Sequence, residues 1–455
     1  MKEPVTMSAR RLKTAASLAI IILVAISVPV LADINEPRDY SEGMLIDFGR
    51  YDGVWIPTEK GDKTIAEVLD YSCTAKGYAV VKDSNGIPES INGVSNNSVR
   101  TWTLWTTPKD SGVWEKQNGL PENLYMKDFG FVTFAFSYEG YTPLPCVDAE
   151  GRCIFNDGTL LRAITLAPSC TEMYYAIHGI GGLVGTDLYS NYPVSISGMR
   201  ESGRVAAVGG YTNPSYEKVL GQSPDIVIGE ASVGGHLDVA KRLRSTNVFT
   251  LMLPGSDSID AICRNIWTIG QATGNPENAK AVTNSITAQL DSTLSGIKNT
   301  VRKDVLLALG MLPSAFTSGD NTYMDDATKY ARGTNIFGEE NLGWFPSSAE
   351  EVKDRNPQVI IIVSESAVTT QAEYDEKMEW IRNNNPQWAG TDAFKNGEVY
   401  FFSGQAADVL SRPGPRVCQA AELLANALHP ERFSDPLPKY VGDDYRDYLT
   451  VSAGW

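Results

Sequence analysis

The sequence predicts an α/β protein: two Rossmann-like lobes joined by one long helix and preceded by a small, mostly β domain. Three features of the chain point there. The segment "SYEKVLGQSPDIVIGE" (215–230) returns as "SAEEVKDRNPQVIIIVSE" (348–365), matching Glu217 with Glu350, Val219 with Val352 and Pro224 with Pro357 at an offset of 133 residues. A unit written twice implies two equivalent lobes. Between the copies, Val282, Ile286, Leu290, Leu294, Ile297 and Val301 recur at helical spacing, which marks one long amphipathic helix. Near residue 160 the texture changes from aromatic, β-branched runs to strands alternating with helices, the pattern of a covered parallel sheet.

With 455 residues there is room for two or three domains, each with its own core. Apolar residues make up 42% and charged residues 21%, and 39 Lys and Arg against 55 Asp and Glu leave a net charge of −16. Such a surface repels phosphate backbones and excludes nucleic acid as a partner. Residues 1–32 read as an export signal. Arg10, Arg11 and Lys13 precede the apolar run "AASLAIIILVAISVPVLA", which ends with Val30 and Ala32 at cleavage-site spacing, so the mature chain is expected to begin near Asp33 in the periplasm or at the cell surface. The alternative is an uncleaved membrane anchor over residues 15–32. Loss of those 32 residues removes four basic groups and one acidic group and takes the net charge from −16 to −19. No Cys follows Ala32, so a lipid anchor there is unsupported.

Residues 33–155 carry "RTWTLWTT" and "FGFVTFAFSYEGY", strand-like runs separated by Gly, Asn and Pro turns, with "TIAEVLDYSC" as the one helix. Of six Cys, Cys146 and Cys153 close the short loop "CVDAEGRC" and form the disulfide candidate, whereas Cys263 and Cys418 sit in apolar helical patterns as small buried hydrophobes. The first lobe, 156–268, offers strands at "RAITLA", "GLVGT", "DIVIGE" and "VFTLML". A helix at "SCTEMYYAIHG" is expected to open on a Ser169–Glu172 capping box and close at Gly179. The linker, 269–303, holds a helix of some 26 residues starting at Asn275 and Pro276, about 39 Å long at 1.5 Å per residue. The second lobe, 304–432, repeats the strand pattern at "DVLLALGM", "QVIIIVSE" and "EVYFFSG", and the tail, 433–455, should pack on it through its aromatics. Two lobes on one stiff helix leave a cleft between them, at the carboxyl ends of the strands, which is the expected binding site.

The motifs "ITLAPSCTEMYYAIHG", "DLYSNYP", "SYEKVLGQSPDIVIG", "FTSGDNTYMDDATKYARGTNIFG", "GWFPSSAEEVKDRNPQVIII" and "SRPGPRVCQAAELLANAL" resemble, over about residues 160–432, the cobalamin and iron-siderophore family of ABC-importer substrate-binding proteins. The resemblance implies two lobes that hold a metal chelate with little closure and dock on a membrane permease and its ATPase. In that family one surface carboxylate per lobe pairs with permease arginines, and the matching positions are Glu217 and Glu350, with Glu351 beside the latter. Taken alone, a Glu in a first helical turn merely complements the helix dipole. Positions matching ligand-facing loops are Tyr189, Tyr192, Tyr211, Trp344 and Phe345, aromatic surface suited to a broad chelate. Arg412 and Arg416 of "SRPGPR" approach the cleft rim, where a guanidinium suits a carboxylated ligand or else serves its own helix region. "APSCT" offers helix-terminal N–H groups near the cleft. The departure is "GEASVGG", small and acidic where cobalamin binders carry Trp. The first domain resembles the β-grasp-like domain that ends transcobalamin-type proteins, which would also point to a corrinoid; a spacer or contact module is the alternative.

Side-chain metal binding is not expected, because His178, His236 and His429 are far apart and lack ligand spacing. Any metal would arrive inside the ligand, and no intrinsic cofactor is implied. "GIGGLVG" departs from the dinucleotide loop at Val184, and neither a phosphate-binding loop nor G-x-S-x-G occurs. Asp325 and Asp326 read as solvated turn residues. The sequence therefore predicts a non-enzymatic importer component carrying a corrinoid, with a ferric siderophore or haem as the ligand alternative. A surface adhesion or structural protein is the rival from another class.

Overall fold

In the computed structural model, which describes residues 43–450 apart from 59–61, 110, 121–122, 156–161, 247, 312–314 and 365, the repeated segment folds the same way twice. Ser215 caps the helix Tyr216–Gly221 and Ser348 caps the helix Ala349–Arg355, each hydroxyl accepting from the backbone N–H three residues on. Glu217 and Glu350 stand in the first turn, while Val219 and Val352 are fully buried. Both helices end through a left-handed residue directly before the proline, Ser223 at φ 48° and Asn356 at φ 44°. The strands Ile226–Glu230 and Val359–Val363 then run into the cores. The export segment expected over 1–32 lies outside the described residues.

The first lobe is a five-stranded parallel sheet in the spatial order Ala206–Ala207, Leu183–Thr186, Ala163–Thr165, Ile226–Glu230, Phe249–Leu253. The strand first in sequence thus sits third, and chain direction across the sheet reverses between Ala163–Thr165 and Ile226–Glu230. That gap is a topological switch point. The second lobe runs Trp344–Pro346, Phe316–Ser318, Lys303–Leu309, Val359–Val363, Val399–Phe402, Tyr440–Val441, with Gly333–Asn335 also paired to Lys303–Leu309. Its centre is parallel, and Phe316–Ser318 and Trp344–Pro346 make an antiparallel edge. The tail strand Tyr440–Val441 adds to this sheet and Tyr445 is buried, so the tail packs on the second lobe.

Two local expectations are corrected. The linker is not one 26-residue helix: the helix Ile259–Ala272 ends at a turn through Gly274 (φ +70°), and the backbone helix runs only over Pro276–Ile297, 22 residues. Thr300 folds back on it, donating from both N–H and Oγ1 to the Ile297 carbonyl at 2.9 and 2.8 Å, and leaves Val301 84% exposed. Nor does Ser169 form a capping box with Glu172. Pro168 takes the first helical position of Pro168–His178 and Ala167 the cap, which frees both side chains for the cleft.

The first domain is a mixed five-stranded sheet in the order Gly53–Pro57, Gly43–Asp47, Val132–Ser137, Thr101–Thr106, Glu115–Lys116, its first and last strands in sequence lying parallel at the centre. The helix Ile65–Lys76, opened by a Thr64–Glu67 capping box, covers one face. This order of hairpin, helix and central closing strand is β-grasp-like. The other face packs on the lobes: Trp55 stacks on Phe155 with centroids 4.0 Å apart, and Phe155 meets Trp267 of the helix Ile259–Ala272 edge-on. Leu45 and Phe131 therefore share one continuous core with Ile266, Ile286, Leu290 and Leu424. Arg264 donates to the carbonyls of Thr142 and Pro143 at 2.8 and 2.9 Å, Tyr51 to Asp260 at 2.7 Å, and Lys280 of the backbone helix pairs with Asp52 at 2.7 Å.

Cys146 and Cys153 lie beside each other as buried thiols, and burial first, then the neighbouring Cys153, pushes the Cys146 thiol well up. The hub of this connection is Asp47, fully buried, which accepts from Gly49 N–H at 2.8 Å, Leu144 N–H at 3.0 Å and the Tyr141 hydroxyl at 2.9 Å. Asp47→Ala would leave these donors without an acceptor and should destabilise the protein by about 2–4 kcal/mol, read as a lower urea midpoint, with Asp47→Asn costing less.

Candidate functional site

In a parallel sheet the loops after the strands gather at one edge, and here those edges of the two lobes face each other. From the first lobe come Ser169, the loop 187–192, Tyr211 and Glu230; from the second come Tyr323, Trp344, Asp408 and Arg412. Asp187, buried, holds its loop by accepting from Tyr189 N–H at 2.7 Å, Ser190 N–H at 3.1 Å and the Ser190 hydroxyl. Burial raises its carboxyl above the usual range against these bonds.

At one end of the cleft the lobes are latched. Glu172 accepts from Arg416 Nε at 2.8 Å and Nη2 at 2.6 Å, a two-pronged pair with both side chains 1% exposed. Arg412 adds a contact to Glu172 at 3.3 Å and donates to Asn191 Oδ1 at 2.6 Å and the Tyr189 carbonyl at 3.3 Å, while pairing with Asp408 at 2.8 Å. Asn191 in turn donates to Asp408 at 2.8 Å. Burial works against the Arg416 charge, but Glu172 outweighs it and raises the guanidinium pKa. The tail joins in: Arg446 donates to the Tyr192 hydroxyl and to Tyr445, and Arg416 lies 4.2 Å over the Tyr192 ring.

This geometry redistributes the expected ligand residues. Tyr192 is 5% exposed between Arg416 and Arg446; its ring belongs to the latch and is not offered to a ligand. The Arg412 fork is taken up by Asp408, Asn191 and Glu172, so it too is latch. Trp344 and Phe345 are neighbours in an edge strand and point to opposite faces. Trp344 approaches Tyr323 with centroids 6.3 Å apart, and Phe345 meets Phe337 edge-on in the lobe's own core. Tyr189 (38% exposed), Tyr211 and Trp344 remain at the cleft.

Glu230 is the acidic residue of "GEASVGG", and His236 enters the sequence reading as one of three histidines without ligand spacing; neither is expected there to carry a role in the cleft. Glu230 ends the strand beside the switch point and accepts from the Tyr211 hydroxyl at 2.6 Å and from Ser169 Oγ. His236, fully buried, accepts Glu230 N–H on Nδ1 at 3.0 Å, so its Nε2 carries the proton and donates to the Tyr211 carbonyl at 2.7 Å. One imidazole thus ties together the two strand ends bearing Tyr211 and Glu230. An acidic residue directly after a core strand was the available signal. His178 and His429 bond Thr273 at 2.8 Å and Thr300 at 3.2 Å. Asp325 is not a solvated turn residue either: it is 1% exposed, in the helix Tyr323–Tyr330, paired with Lys329.

Glu217 and Glu350 are both exposed. Glu217 accepts from Arg242 at 2.9 Å, and its own helix-start N–H first, then Arg242, hold its carboxyl below the usual range; Glu350 accepts from Gln387 at 3.2 Å. Because each helix runs antiparallel to the strand that follows it, its first turn lies at the cleft edge of its lobe. A surface groove of about 620 Å³, lined by Arg302, Asp304, Lys329 and Arg355, opens elsewhere, at the amino ends of the second lobe's strands. That is the wrong edge of the sheet for the cleft; of its charged lining Lys329 pairs with Asp325, and Arg355 with Glu340 beside it.

Removing one partner of a buried ion pair strands the other charge, so Glu172→Ala or Arg416→Ala should each cost about 3–5 kcal/mol, while Glu172→Leu with Arg416→Met should recover most of it; chemical denaturation of the wild type and the three variants measures each cost. Burial also lowers the His236 pKa from 6.5. The unfolded chain takes that proton first, so stability is full above about pH 6.5 and falls as pH drops below it. Melting temperatures at about pH 7.5 and pH 5.5 should show the loss, with a shallower slope in His236→Gln.

A family profile described as periplasmic binding protein matches residues 164–406. An uncharacterized ABC transporter substrate-binding lipoprotein of Bacillus subtilis, YvrC, is 27% identical over 299 residues, 64% of this chain and 88% of that protein. A cobalamin-binding protein of Halobacterium salinarum is 25% identical over 293 residues, covering 63% of this chain and 74% of its own length. Among solved structures, a periplasmic binding protein of Veillonella parvula superposes with a TM-score of 0.52 at 20% identity, over 65% of this chain and 96% of that one. Among the described residues no helix is long and apolar enough to cross a membrane. The two-lobed fold and the matched span together show that this chain belongs to the periplasmic binding protein family.

Proposed function

We propose that this protein captures a corrinoid in the inter-lobe cleft and delivers it to a membrane permease through Glu217 and Glu350. The observation that carries docking is the repeat itself: two exposed carboxylates in equivalent first helical turns, one per lobe, both at the cleft edge. Held on latched lobes, they form a bivalent contact whose avidity depends on spacing and whose encounter rate falls with salt. The corrinoid assignment is supported by the cobalamin-binding relative and by the partly exposed rings of Tyr189, Tyr211 and Trp344, which offer broad apolar surface at low entropic cost. The cleft binds and releases its ligand unchanged, the metal staying inside the chelate. Export and any anchoring through residues 15–32 belong to the same proposal.

Glu217→Ala with Glu350→Ala should abolish uptake in a reconstituted permease assay while leaving ligand affinity unchanged; undiminished uptake would overturn docking through these residues. Titration with cobalamin, haem and a ferric siderophore, followed by Trp fluorescence, should give tight one-to-one corrinoid binding. A signal from haem or siderophore alone would replace the ligand and keep the importer role.

A further inference from the structure

Resting on that reading of the cleft, we infer that Glu230 is a specificity-determining residue, selecting a chelate whose periphery donates N–H groups and rejecting one that presents carboxylates or other anionic oxygens. The position is the first argument. Glu230 ends the strand on one side of the first lobe's switch point, and Ser169 stands in the first turn of the helix on the other side. Ligands of open α/β sheets lie in that crevice. Across the cleft, the Tyr323 hydroxyl of the second lobe donates to the Leu410 carbonyl, and burial first, then the Glu230 charge, raises that phenol.

The carboxylate is held for use. Ser169 Oγ takes one oxygen and the Tyr211 hydroxyl, 2.6 Å away, the other, while His236 fixes the backbone beneath. A carboxylate has about four acceptor sites, so two donors leave capacity on both oxygens, and the group is only partly buried. Among the described residues no cation is paired with it. Arg412 is taken by Asp408, Asn191 and Glu172, Arg416 by Glu172, and Arg446 by Tyr192 and Tyr445. An anionic ligand would therefore set a like charge against Glu230 with the Arg412, Arg416 and Arg446 guanidiniums already committed, and like-charge juxtaposition suppresses the wrong partner. A neutral chelate edged with primary amides instead gains charge-assisted hydrogen bonds.

The experiment is equilibrium titration of the wild-type chain and Glu230→Gln, which keeps shape and removes charge. The probes are cyanocobalamin, cyanocobalamin with one peripheral amide hydrolysed to a carboxylate, and haemin. We expect Glu230→Gln to bind cyanocobalamin about 10-fold more weakly, the size of one charge-assisted bond, and to narrow the wild type's preference for the amide over the carboxylate form. Haemin should bind the variant more tightly than the wild type. If the wild type binds cyanocobalamin and the variant neither weakens nor loses its discrimination, the role of Glu230 is overturned while the corrinoid reading stands. If the wild type binds haemin in preference, both fall. Should Glu230→Gln prove unfolded by circular dichroism, Tyr211→Phe, which frees one Glu230 oxygen without altering its charge, provides the second comparison: discrimination against the carboxylate form should persist in it, and its loss would overturn the inference.

Discussion

The pair between Glu172 and Arg416 sets the geometry of everything else. Both side chains are buried to 1% exposure and they come from different lobes. A charge buried so deeply can leave its partner only by being stranded, which is far costlier than the loss of an exposed ion pair. Around it, Arg412, Asp408, Asn191, Tyr192 and Arg446 satisfy each other's remaining donors and acceptors. Every member has a partner across the lobe boundary or beside it, and a polar network rigidifies only when it is satisfied in this way. The lobes are held by this latch at one end of the cleft and by the backbone helix Pro276–Ile297 with its shared core. The cleft is consequently preformed, and ordering it on binding costs little.

The first domain adds to the same rigidity from another side. Its sheet is covered by its own helix on one face and by the helix Ile259–Ala272 on the other. Its polar contacts fall on that helix and on the backbone helix: Tyr51 to Asp260, Arg264 to the 142–143 carbonyls, Asp52 to Lys280. The connecting loop adds to the edge of the first lobe, where Ala149 N–H donates to the Met252 carbonyl at 2.8 Å and Asp148 accepts Met252 N–H at 3.0 Å. This domain is thus mechanically part of the frame that carries the cleft.

What could be read from the sequence follows from range. The seven apolar strand runs of the two lobes are each present, because a strand buried on both faces must be apolar along its length. Among the strands not foreseen, Ala206–Ala207 and Tyr440–Val441 are two-residue edge pairings with no period to detect. The thwarted Ser169–Glu172 cap shows the same limit at the site. Pro168 displaced the helix start by a local rule, but Glu172 found its partner 244 residues away, beyond any spacing argument. Tyr192 was misplaced for that reason. Phe345 was misplaced for a simpler one, since strand alternation sends it away from Trp344.

The two carboxylates proposed to dock, equivalent in the repeat, are not equivalent in chemistry. Glu217 already pairs with Arg242, whose guanidinium also lies 3.7 Å over the Tyr216 ring, whereas among the described residues Glu350 meets the neutral amide of Gln387 at 3.2 Å and no cation. Under that proposal, a cation arriving at the first lobe would have to exchange with Arg242. At the second lobe it replaces a neutral donor, and gains more of its Coulomb attraction as new interaction. Because both side chains are exposed, that exchange is inexpensive and fast, and high salt weakens both contacts. The asymmetry favours first contact through the lobe carrying Glu350 and later engagement of Glu217, an order imposed by the local partners of two residues that the sequence repeat makes look the same.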